Sequence, residues 1–595
     1  MINTLYLKIR RFSSLFILPA LSLFLSNQTL CAQNSSDIHL KTGAAKLYQT
    51  LYYIDRLYAD TVNIGSIVDE SIRAILDQLD PHSSFVSAEE LKAMNEPLQG
   101  EFEGIGIEFS IIRDTLTVQG VIASGPSEKA GLMAGDKILS IDTLDLTRTK
   151  VTNDLVFKNL RGPKGTRVKL GILRPNAAGI VSYTIVRDKI PIKSVEAAYL
   201  IPITSPTAST SPTASSSPSS SSSPSSSPSS LSSFSSSQSS SQSSSSIPTS
   251  NILYIKLSRF AAKSHSEMVE AMNSFSGQYD GMILDLRSNS GGYLPTAIDI
   301  CNEFLDKNDL IVYTEGAKIP RMDEFADGYG IYRKGALAIL VDEHSASASE
   351  IVSGAIQDHD RGVIVGRRTF GKGLVQRALP LEDGSEIRLT VARYHTPSGR
   401  VIQAPYELGN AKQYYTDYYE RFARGESFSA DSISFPDSLK FHTLKLGRVV
   451  YGGGGIMPDL FVPKDTTSYT EYYASLIRNR VIIDFVNAQT DANRKRWLKT
   501  YPDFESFFNK FNLSQQQFDD LIALAKKRGI EPDTEQFEIS RSAIDRYIRA
   551  LISGTLYGHD SFYKVMNSDD PDILKAIQSL QSLQSLQSRW PLQSR

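Results

Sequence analysis

Ser347 and Lys372 could together form an activated serine nucleophile that needs no histidine. Ser347 lies in the run Ser-Ala-Ser-Ala-Ser-Glu-Ile, and Lys372 in Thr-Phe-Gly-Lys-Gly-Leu-Val-Gln, which ends at Gln376. A lysine acts as a general base only when it is neutral, so desolvation or a nearby cation must lower its pKa from about 10.4. Gln376 shares the face of Lys372 if this segment is extended, and could hold the amine. This chemistry indicates peptide hydrolysis.

The elements around Ser347 are predictable from the pattern of apolar residues. The short apolar run 336–341 predicts a strand buried on both faces of a largely parallel sheet. Apolar residues at helical spacing between 351 and 356 predict a helix directly afterwards. Ser347 is therefore expected on a strand-to-helix turn, where unpaired amides favour an oxyanion. Ser347 and Glu350 also match a capping box, so a serine that only caps the helix is the alternative.

A third turn could supply amide donors. Residues 282–286 predict another buried strand, which leads into a polar turn with Gly291 and Gly292 before an apolar helix at 296–304. The backbone amides of Gly291 or Gly292, together with that of Ala348, could form an oxyanion hole. Sheets of this class place their sites at the carboxyl ends of strands, so the three turns are expected to meet.

These motifs together resemble the C-terminal processing peptidases, also called tail-specific proteases. The resemblance rests on the run around Ser347, the run 369–376 and the segment Asp285-Leu-Arg-x-Asn-x-Gly-Gly, and it extends from about Leu47 to about Leu460 with one interruption. It implies an α/β fold: a crotonase/Clp-protease-like mixed α/β catalytic core with an inserted, mainly β PDZ domain and helical N- and C-terminal regions. It also implies a Ser-Lys serine endopeptidase in which Gln376 positions the lysine.

The segment that begins at Glu103 resembles a PDZ domain. Gly104, Ile105, Gly106 and Ile107 would form a loop whose amides capture a peptide's C-terminal carboxylate, and the two isoleucines would line the pocket for its last side chain. The following strand would offer an edge for β-augmentation. An ordinary hairpin turn explains the glycines but not the whole ordered set of motifs.

Histidine and carboxylate residues near the proposed site in the sequence leave other catalytic mechanisms open. A Ser-His-Asp triad could use His344 and Asp285, although no Gly-x-Ser-x-Gly elbow surrounds Ser347. Asp-Pro-His82 resembles a family motif, but we expect His82 to be structural. A non-catalytic PDZ scaffold or chaperone with a degenerate peptidase fold is the alternative function, against which the intact Ser347, Lys372 and Gln376 argue.

The N-terminus predicts export. Lys8, Arg10 and Arg11 precede an apolar run at 12–25, which indicates a signal peptide cut near Ala32. An uncleaved anchor or a lipoprotein cysteine are the alternatives. We expect a periplasmic or cell-envelope protein, membrane-associated only peripherally if at all. After cleavage only one cysteine would remain, so no internal disulfide is expected.

Composition narrows the partners. The chain has 595 residues, 41% of them hydrophobic, and a net charge of −2. The length and the hydrophobic fraction are sufficient for several domains, each with a hydrophobic core. The small net charge does not favour nucleic acid as a binding partner. No spacing of histidine or cysteine indicates a metal site, so no metal or cofactor is expected. The expected partners are proteins or peptides with accessible C-termini, and a homo-oligomer stays open.

Composition and resemblance together predict the domain boundaries. The stretch 205–250 is almost entirely Ser, Pro, Thr and Gln, which predicts a disordered insertion. The predicted order is a signal peptide (1–32), an N-terminal helical region (33–98), the PDZ domain (99–190), the peptidase core (191–204 and 251–465) split by the insertion (205–250), a C-terminal helical region (466–576) and a low-complexity tail (577–595).

Overall fold

The computed structural model describes residues 20–112, 114–122, 125–133, 135–174, 179–203 and 250–589. The chain divides into two compact units, residues 1–76 and residues 77–595. The described part of the first unit, residues 20–76, contains the helices α1 (Ala20–Leu57) and α2 (Ile64–Leu76). Among the described residues, no helix has the length and the apolar character that a membrane span requires. Most of the predicted signal peptide lies outside the described residues.

The second unit begins with β1 (Ser84–Val86) and α3 (Ala88–Gln99), followed by an inserted β domain. Its elements are β2 (Glu101–Gly104), β3 (Ile107–Ile112), β4 (Thr115–Val121), α4 (Pro126–Ala130), β5 (Lys137–Ile141), β6 (Leu144–Asp145), α5 (Asn153–Leu160), β7 (Arg167–Leu173), β8 (Ile180–Val186) and β9 (Asp188–Pro191). The strand order is β3-β4-β5-β7-β8, with β6 beside β5, and an antiparallel pair of β2 and β9 closes the domain.

An α/β core follows. Its elements are β10 (Val195–Ile203), β11 (Ser250–Leu257), α6 (Ser264–Ser274), β12 (Gly281–Asp285), α7 (Leu294–Asn302), β13 (Leu310–Glu315), β14 (Met322–Phe325), β15 (Ala336–Val341), α8 (Ala348–Asp358), β16 (Val363–Gly366), β17 (Leu374–Pro380), β18 (Glu386–His395), α9 (Ala411–Ala423), β19 (Lys440–His442), β20 (Val449–Tyr451) and β21 (Leu460–Phe461). The mixed α/β fold expected from the sequence is confirmed.

The central sheet of this core has the order β10-β11-β12-β15-β16-β21. In this sheet β11, β12, β15, β16 and β21 are parallel to one another, and β10 runs antiparallel to β11. Every residue of β12 and β15 is buried, which explains their continuous apolar sequences. Ile203 pairs with Ser250, so the strands on either side of the Ser-rich insertion are neighbours. Of the predicted disordered insertion at 205–250, residues 205–249 lie outside the described residues, and Ser250 is the first residue of β11.

A second sheet lies beside the first and is built around β18. This strand pairs with β1, β13 and β17, and β14 extends the sheet from β13. Phe85 in β1 lies opposite Ile387 in β18. β1 and β17 flank β18 on opposite sides, and the residues just before β1 and Gln376 both contact Thr390 of β18.

Seven helices form the C-terminal region: α10 (Glu471–Arg478), α11 (Val481–Thr500), α12 (Phe504–Lys510), α13 (Gln515–Lys527), α14 (Thr534–Tyr557), α15 (His559–Met566) and α16 (Pro571–Arg589). The first five share an aromatic-rich core of their own. In contrast, Ile573, Ala576 and Leu580 of α16 pack against one face of the central sheet. The low-complexity tail predicted at 577–595 therefore begins within the packed helix α16. A three-residue Leu-Gln-Ser repeat suits a helix, since it places successive leucines on nearly the same face.

Candidate active site

Three turns follow the carboxyl ends of the neighbouring parallel strands β12, β15 and β16. The turn after β15 carries Ser347, the turn after β12 carries Gly291 and Gly292, and the segment after β16 carries Lys372. Neighbouring parallel strands end at the same edge of a sheet, so the three turns predicted from the sequence meet there.

Ser347 adopts a backbone conformation that is unusual for a residue with a side chain. Its φ is 54° and its ψ is −111°, immediately before the first residue of α8. Such a conformation costs about 1–3 kcal/mol and persists only where the surroundings enforce it. Ser345 helps to do so, because its hydroxyl donates to Leu286 O at 2.9 Å and accepts from the amide of Asp342 at 2.9 Å.

Glu350 joins the nucleophile turn to the lysine turn. Its Oε2 accepts hydrogen bonds from the amides of Ser347 (2.9 Å) and Lys372 (2.8 Å). Its Oε1 accepts from Thr369 Oγ1 (2.6 Å) and from the amide of Gly371 (2.8 Å). The capping-box interpretation was thus incomplete, since Glu350 reaches beyond its own helix and fixes both turns with one carboxylate.

Burial dominates the electrostatics of these groups. It raises the pKa of Glu350 to about 7, although four hydrogen bonds favour the charged form. Burial also lowers the pKa of Lys372; the charge of Glu350 opposes this change, and the charge of Arg388 adds to it. A lysine whose pKa is lowered by burial is what the proposed base requires. Among the described side chains, no hydrogen bond joins Lys372 Nζ to Ser347 Oγ.

Gln376 lies close to the lysine along the chain but its amide bonds elsewhere. Its Nε2 donates to Thr390 Oγ1 at 3.2 Å, across the β17–β18 pair. The pairing register shifts between Val375 and Gln376, where the extra residue lies in β18 rather than in β17, and the shared face of Lys372 and Gln376 stays a prediction. No hydrogen bond joins Gln376 to Lys372 in the described part of the chain.

The glycine turn lies directly against Ser347. A Cβ on Gly291 would be 2.9 Å from Ser347 Cβ and 3.0 Å from the amide nitrogen of Ala348. The Gly291 amide, however, already donates to Asn289 Oδ1 at 2.9 Å. A φ of 149° and close contact with Phe260 O also restrict Gly292 to glycine. The amides of Gly292 and Ala348 are therefore better placed as oxyanion donors than that of Gly291.

The alternative triad is not assembled. His344 Nδ1 lies 3.0 Å from Tyr418 Oη. Asp285 is instead bound by Arg287, Tyr254 and Lys256. Burial opposes its ionisation, but the charges of Arg287 and Lys256 outweigh burial and hold the pKa of Asp285 below its ordinary value.

The turn before β1 contacts the lysine region, which the sequence analysis missed. His82 Nε2 lies 3.3 Å from Tyr414 Oη. Burial, followed by the charge of Lys372, lowers the pKa of His82 to about 4. Asp80 Oδ1 accepts from Thr390 Oγ1 at 2.9 Å. The Asp-Pro-His motif was visible in the sequence, but nothing in it indicated which strand it would contact.

The proposed peptide-binding loop connects β2 and β3 in the inserted domain. Gly106 has a φ of 73°, and a Cβ there would be 2.9 Å from Ile190 Cδ1. Ile105 is only 2% exposed and packs in the domain core, so Ile107 alone of the two isoleucines is half-exposed. Among the described strands β3 pairs only with β4, which leaves one edge open. Phe157 of α5, 41% exposed, packs edge-on against Phe109 of β3.

The described residues contain no group of histidine, cysteine and acidic side chains that could hold a metal ion. Cys301 is a buried free thiol in the core.

Comparison with known proteins gives matches over most of the second unit. Residues 251–408 match peptidase family S41, residues 104–182 match the PDZ domain, and residues 472–558 match a family of unknown function. The chain is 33% identical to the carboxy-terminal-processing protease of Bartonella bacilliformis over 57% of this chain and 67% of that protein. It is also 33% identical to the carboxyl-terminal-processing protease of Synechocystis sp. over 55% of this chain and 66% of that protein.

Among solved structures, the photosystem II D1 C-terminal processing protease matches with 23% identity and a TM-score of 0.34, over 71% of this chain and 87% of that one. The family and domain matches and the two curated relatives confirm the family resemblance noted in the sequence. The chain belongs to the carboxy-terminal-processing proteases of peptidase family S41, which are serine-type peptidases, and it carries a PDZ domain.

Proposed function

We propose that this protein is an endopeptidase that cleaves protein chains near their C-termini by a Ser-Lys acyl-enzyme mechanism. Ser347 Oγ attacks the peptide carbonyl while neutral Lys372 accepts its proton, and the ammonium then gives that proton to the leaving amine. Water, deprotonated by the same lysine, hydrolyses the ester. Gln376 positions Lys372, and the amides of Ala348 and Gly292 bind the oxyanion.

One observation carries this proposal: a single carboxylate oxygen of Glu350 binds the amides of both Ser347 and Lys372. The arrangement keeps the nucleophile and the base on adjacent backbone segments, while the side chain of Lys372 is largely withdrawn from water. A lysine beside a serine in a desolvated site has the lowered pKa that a general base needs. In the active state Lys372 Nζ would approach Ser347 Oγ, and the shared anchoring of the two backbone segments on Glu350 favours this approach.

The PDZ domain would supply substrate. Its loop at 104–107 would present amides to a terminal carboxylate, Ile107 and Phe157 would offer apolar contact, and the edge of β3 away from β4 would accept an extended chain. The substrates would be proteins with free, apolar C-termini. We further propose that the protein is exported and acts in protein processing or quality control in the cell envelope, on the basis of the charged and apolar N-terminal segment.

The mechanism is tested with an unfolded protein that ends in an apolar residue. Wild type, Ser347→Ala, Lys372→Ala and Gln376→Ala are compared with Lys334→Ala, an exposed lysine far from the site. We expect cleavage to stop in the first two variants, to fall in the third, and to be unchanged in the control. Cleavage by Ser347→Ala or Lys372→Ala at the wild-type rate would refute the mechanism.

Substrate capture has its own control. The same substrate with an amidated C-terminus removes the carboxylate but leaves the scissile bond intact. We expect KM to rise while kcat changes little. Equal KM values for the free acid and the amide would refute recognition through the loop at 104–107. Cell fractionation tests export, and recovery of the protein only in the cytosol would refute it.

A further inference from the structure

A directed hydrogen-bond chain runs from Gln376 to a carboxylate in the turn before β1. Gln376 Nε2 donates to Thr390 Oγ1 at 3.2 Å, and Thr390 Oγ1 donates to Asp80 Oδ1 at 2.9 Å. The three side chains come from β17, β18 and the turn before β1. They link the residue proposed to position the base with a segment almost 300 positions earlier in the chain.

The turn around Asp80 is built to hold Thr390 in one place. Asp80 Oδ1 also accepts from the amides of His82 and Ser83, and Asp80 Oδ2 accepts from Ser83 Oγ at 2.6 Å. Ser83 Oγ in turn accepts from the backbone amide of Thr390 at 3.0 Å. Thr390 is therefore bound through both its backbone and its hydroxyl by the same turn.

The chain has only one consistent direction. Burial opposes the ionisation of Asp80, but hydrogen bonds from Ser83, His82 and Thr390 hold its pKa below the ordinary value, so its carboxylate only accepts. The single hydroxyl hydrogen of Thr390 is thus committed to Asp80. The hydroxyl can only accept from Gln376, and the atom that faces it must be the amino group of the amide.

This direction fixes which atom of Gln376 remains for the base. With Nε2 bound to Thr390, the carbonyl oxygen Oε1 is the atom left to face other groups, and it has no hydrogen-bond partner among the described residues. Lys372 Nζ likewise has none there. A carbonyl oxygen can accept an N–H from the lysine in either protonation state, whereas an amino group facing it would repel the ammonium.

We propose that Asp80 and Thr390 are positioning residues of the active site, which set the amide orientation of Gln376 so that its oxygen faces Lys372. This inference rests on the proposed Ser-Lys-Gln mechanism. Neither residue touches substrate; each acts through Gln376. The Asp-Pro-His motif then belongs to the catalytic apparatus, although its sequence offers no nucleophile or base.

Other charged groups also act on Lys372, so the test must separate their electrostatic effect from the effect of the hydrogen-bond chain. Glu350 faces it from α8, Arg388 faces it from β18, and Asp80 and His82 face it from the turn before β1. Replacing Asp80 would change both the charge near Lys372 and the hydrogen-bond chain. Replacing Thr390 changes only the chain, so Thr390 is the better probe.

The experiment compares Thr390→Val with Thr390→Ser in wild type and in Gln376→Ala. Valine keeps the β-branched shape that suits a strand but cannot accept from Gln376, whereas serine keeps the hydroxyl. We expect Thr390→Val to lower kcat about tenfold or more with little change in KM, and Thr390→Ser to retain most of the activity. We expect Thr390→Val to have no further effect in Gln376→Ala, because residues that act through each other are not additive.

The pH dependence of kcat distinguishes a positioning role of Thr390 from a purely structural one, because loss of a structural residue would not shift the acid limb. In Thr390→Val the freed amide can turn its amino group toward the ammonium, so the acid limb of kcat should move to lower pH. Equal kcat for the valine and serine variants, or the same loss from valine with and without Gln376, would overturn the proposal. Full activity of Ser347→Ala would instead overturn the mechanism, so the two failures are distinguishable. Thermal unfolding of each variant shows whether it has folded.

Discussion

Glu350 allows the energetics of the site to be tested directly. Its carboxylate is fully buried and its pKa is raised to about 7 by burial. Glu350→Gln keeps the shape but removes the titration. In the less costly orientation, the new amino group replaces Oε1; it can donate to Thr369 Oγ1 in place of the hydrogen bond that this hydroxyl gave, and the Gly371 amide loses its acceptor. One unpaired buried amide costs about 1–3 kcal/mol.

The cost should depend on pH in a stated direction. The folded-state pKa of Glu350 lies above its ordinary value of 4.5, so its contribution to stability is fully present below that value and is lost as the pH rises through about 7. One pKa unit corresponds to about 1.4 kcal/mol, which makes the loss about 2–3 kcal/mol between pH values of about 5 and about 8. Glutamine lacks this loss, so Glu350→Gln should be clearly destabilising near pH 5 and nearly neutral near pH 8.

Hydrogen exchange provides the assay, because the chain has several domains and global unfolding would not report on one site. Peptides covering residues 342–376 are followed in a Ser347→Ala background to prevent self-cleavage. The difference in opening free energy between glutamate and glutamine is measured at both pH values, after correction for the intrinsic exchange rate.

A matched control uses Glu343, a half-buried glutamate in the same segment. The pKa of Glu343 is lowered to about 2: burial opposes the change, and Lys464 and Arg367 outweigh burial. Its contribution is present above the ordinary value of 4.5 and is lost only below it. Glu343→Gln should therefore cost the same near pH 5 and near pH 8. If the cost of Glu350→Gln is also independent of pH, the reasoning about Glu350 is wrong.

Three further predictions follow from other contacts. Gly291 has a φ of 102°, and a Cβ there would be 2.8 Å from Ala346 O, so Gly291→Ala should lower kcat about 100-fold. Gly447→Ala is the control, because a Cβ there meets nothing within 4 Å, and equal kcat values for the two variants would contradict the packing. Arg400→Met leaves buried Asp358 without the partner that lies 2.5 Å away and should lower the opening free energy of the end of α8, measured by hydrogen exchange, by about 3–5 kcal/mol; unchanged exchange there would contradict this. Leu580→Ala should cost about 2–5 kcal/mol and accelerate exchange in α16, unlike Leu574→Ala on its exposed side; no difference between them would refute packing of the tail on the sheet.

The C-terminal region shows how charge and packing combine around the core. Arg287, which follows β12, bonds Asp570 and Asp572 at the start of α16 as well as Asp285. Asp572 also reaches Arg367 after β16. The helix that covers the sheet is therefore tied to two of the strand ends that support the active-site turns.

The sequence by itself determined the features that depend on local pattern. Continuous apolar runs predicted the buried strands β12 and β15, and glycines and small residues predicted the turns that carry Ser347, Lys372 and Gly291. Parallel strands require these turns to meet at one edge. The family resemblance followed from the same motifs, because the types and spacing of residues along the chain were sufficient to recognise them.

Only the tertiary structure decided which distant groups complete the site. Glu350 appeared as a helix cap, yet both of its oxygens bind the segment that contains Lys372, since a buried carboxylate has four acceptor positions that nearby donors must fill. Asp80 and Thr390 are far apart in sequence and meet because β1 pairs with β18. The Gly291 amide, a predicted oxyanion donor, instead donates to Asn289 Oδ1. The Ile105 side chain, predicted to line the peptide pocket, packs in the core of the inserted domain. Hydrogen bonds between remote segments depend on strand register and packing, which no local pattern specifies.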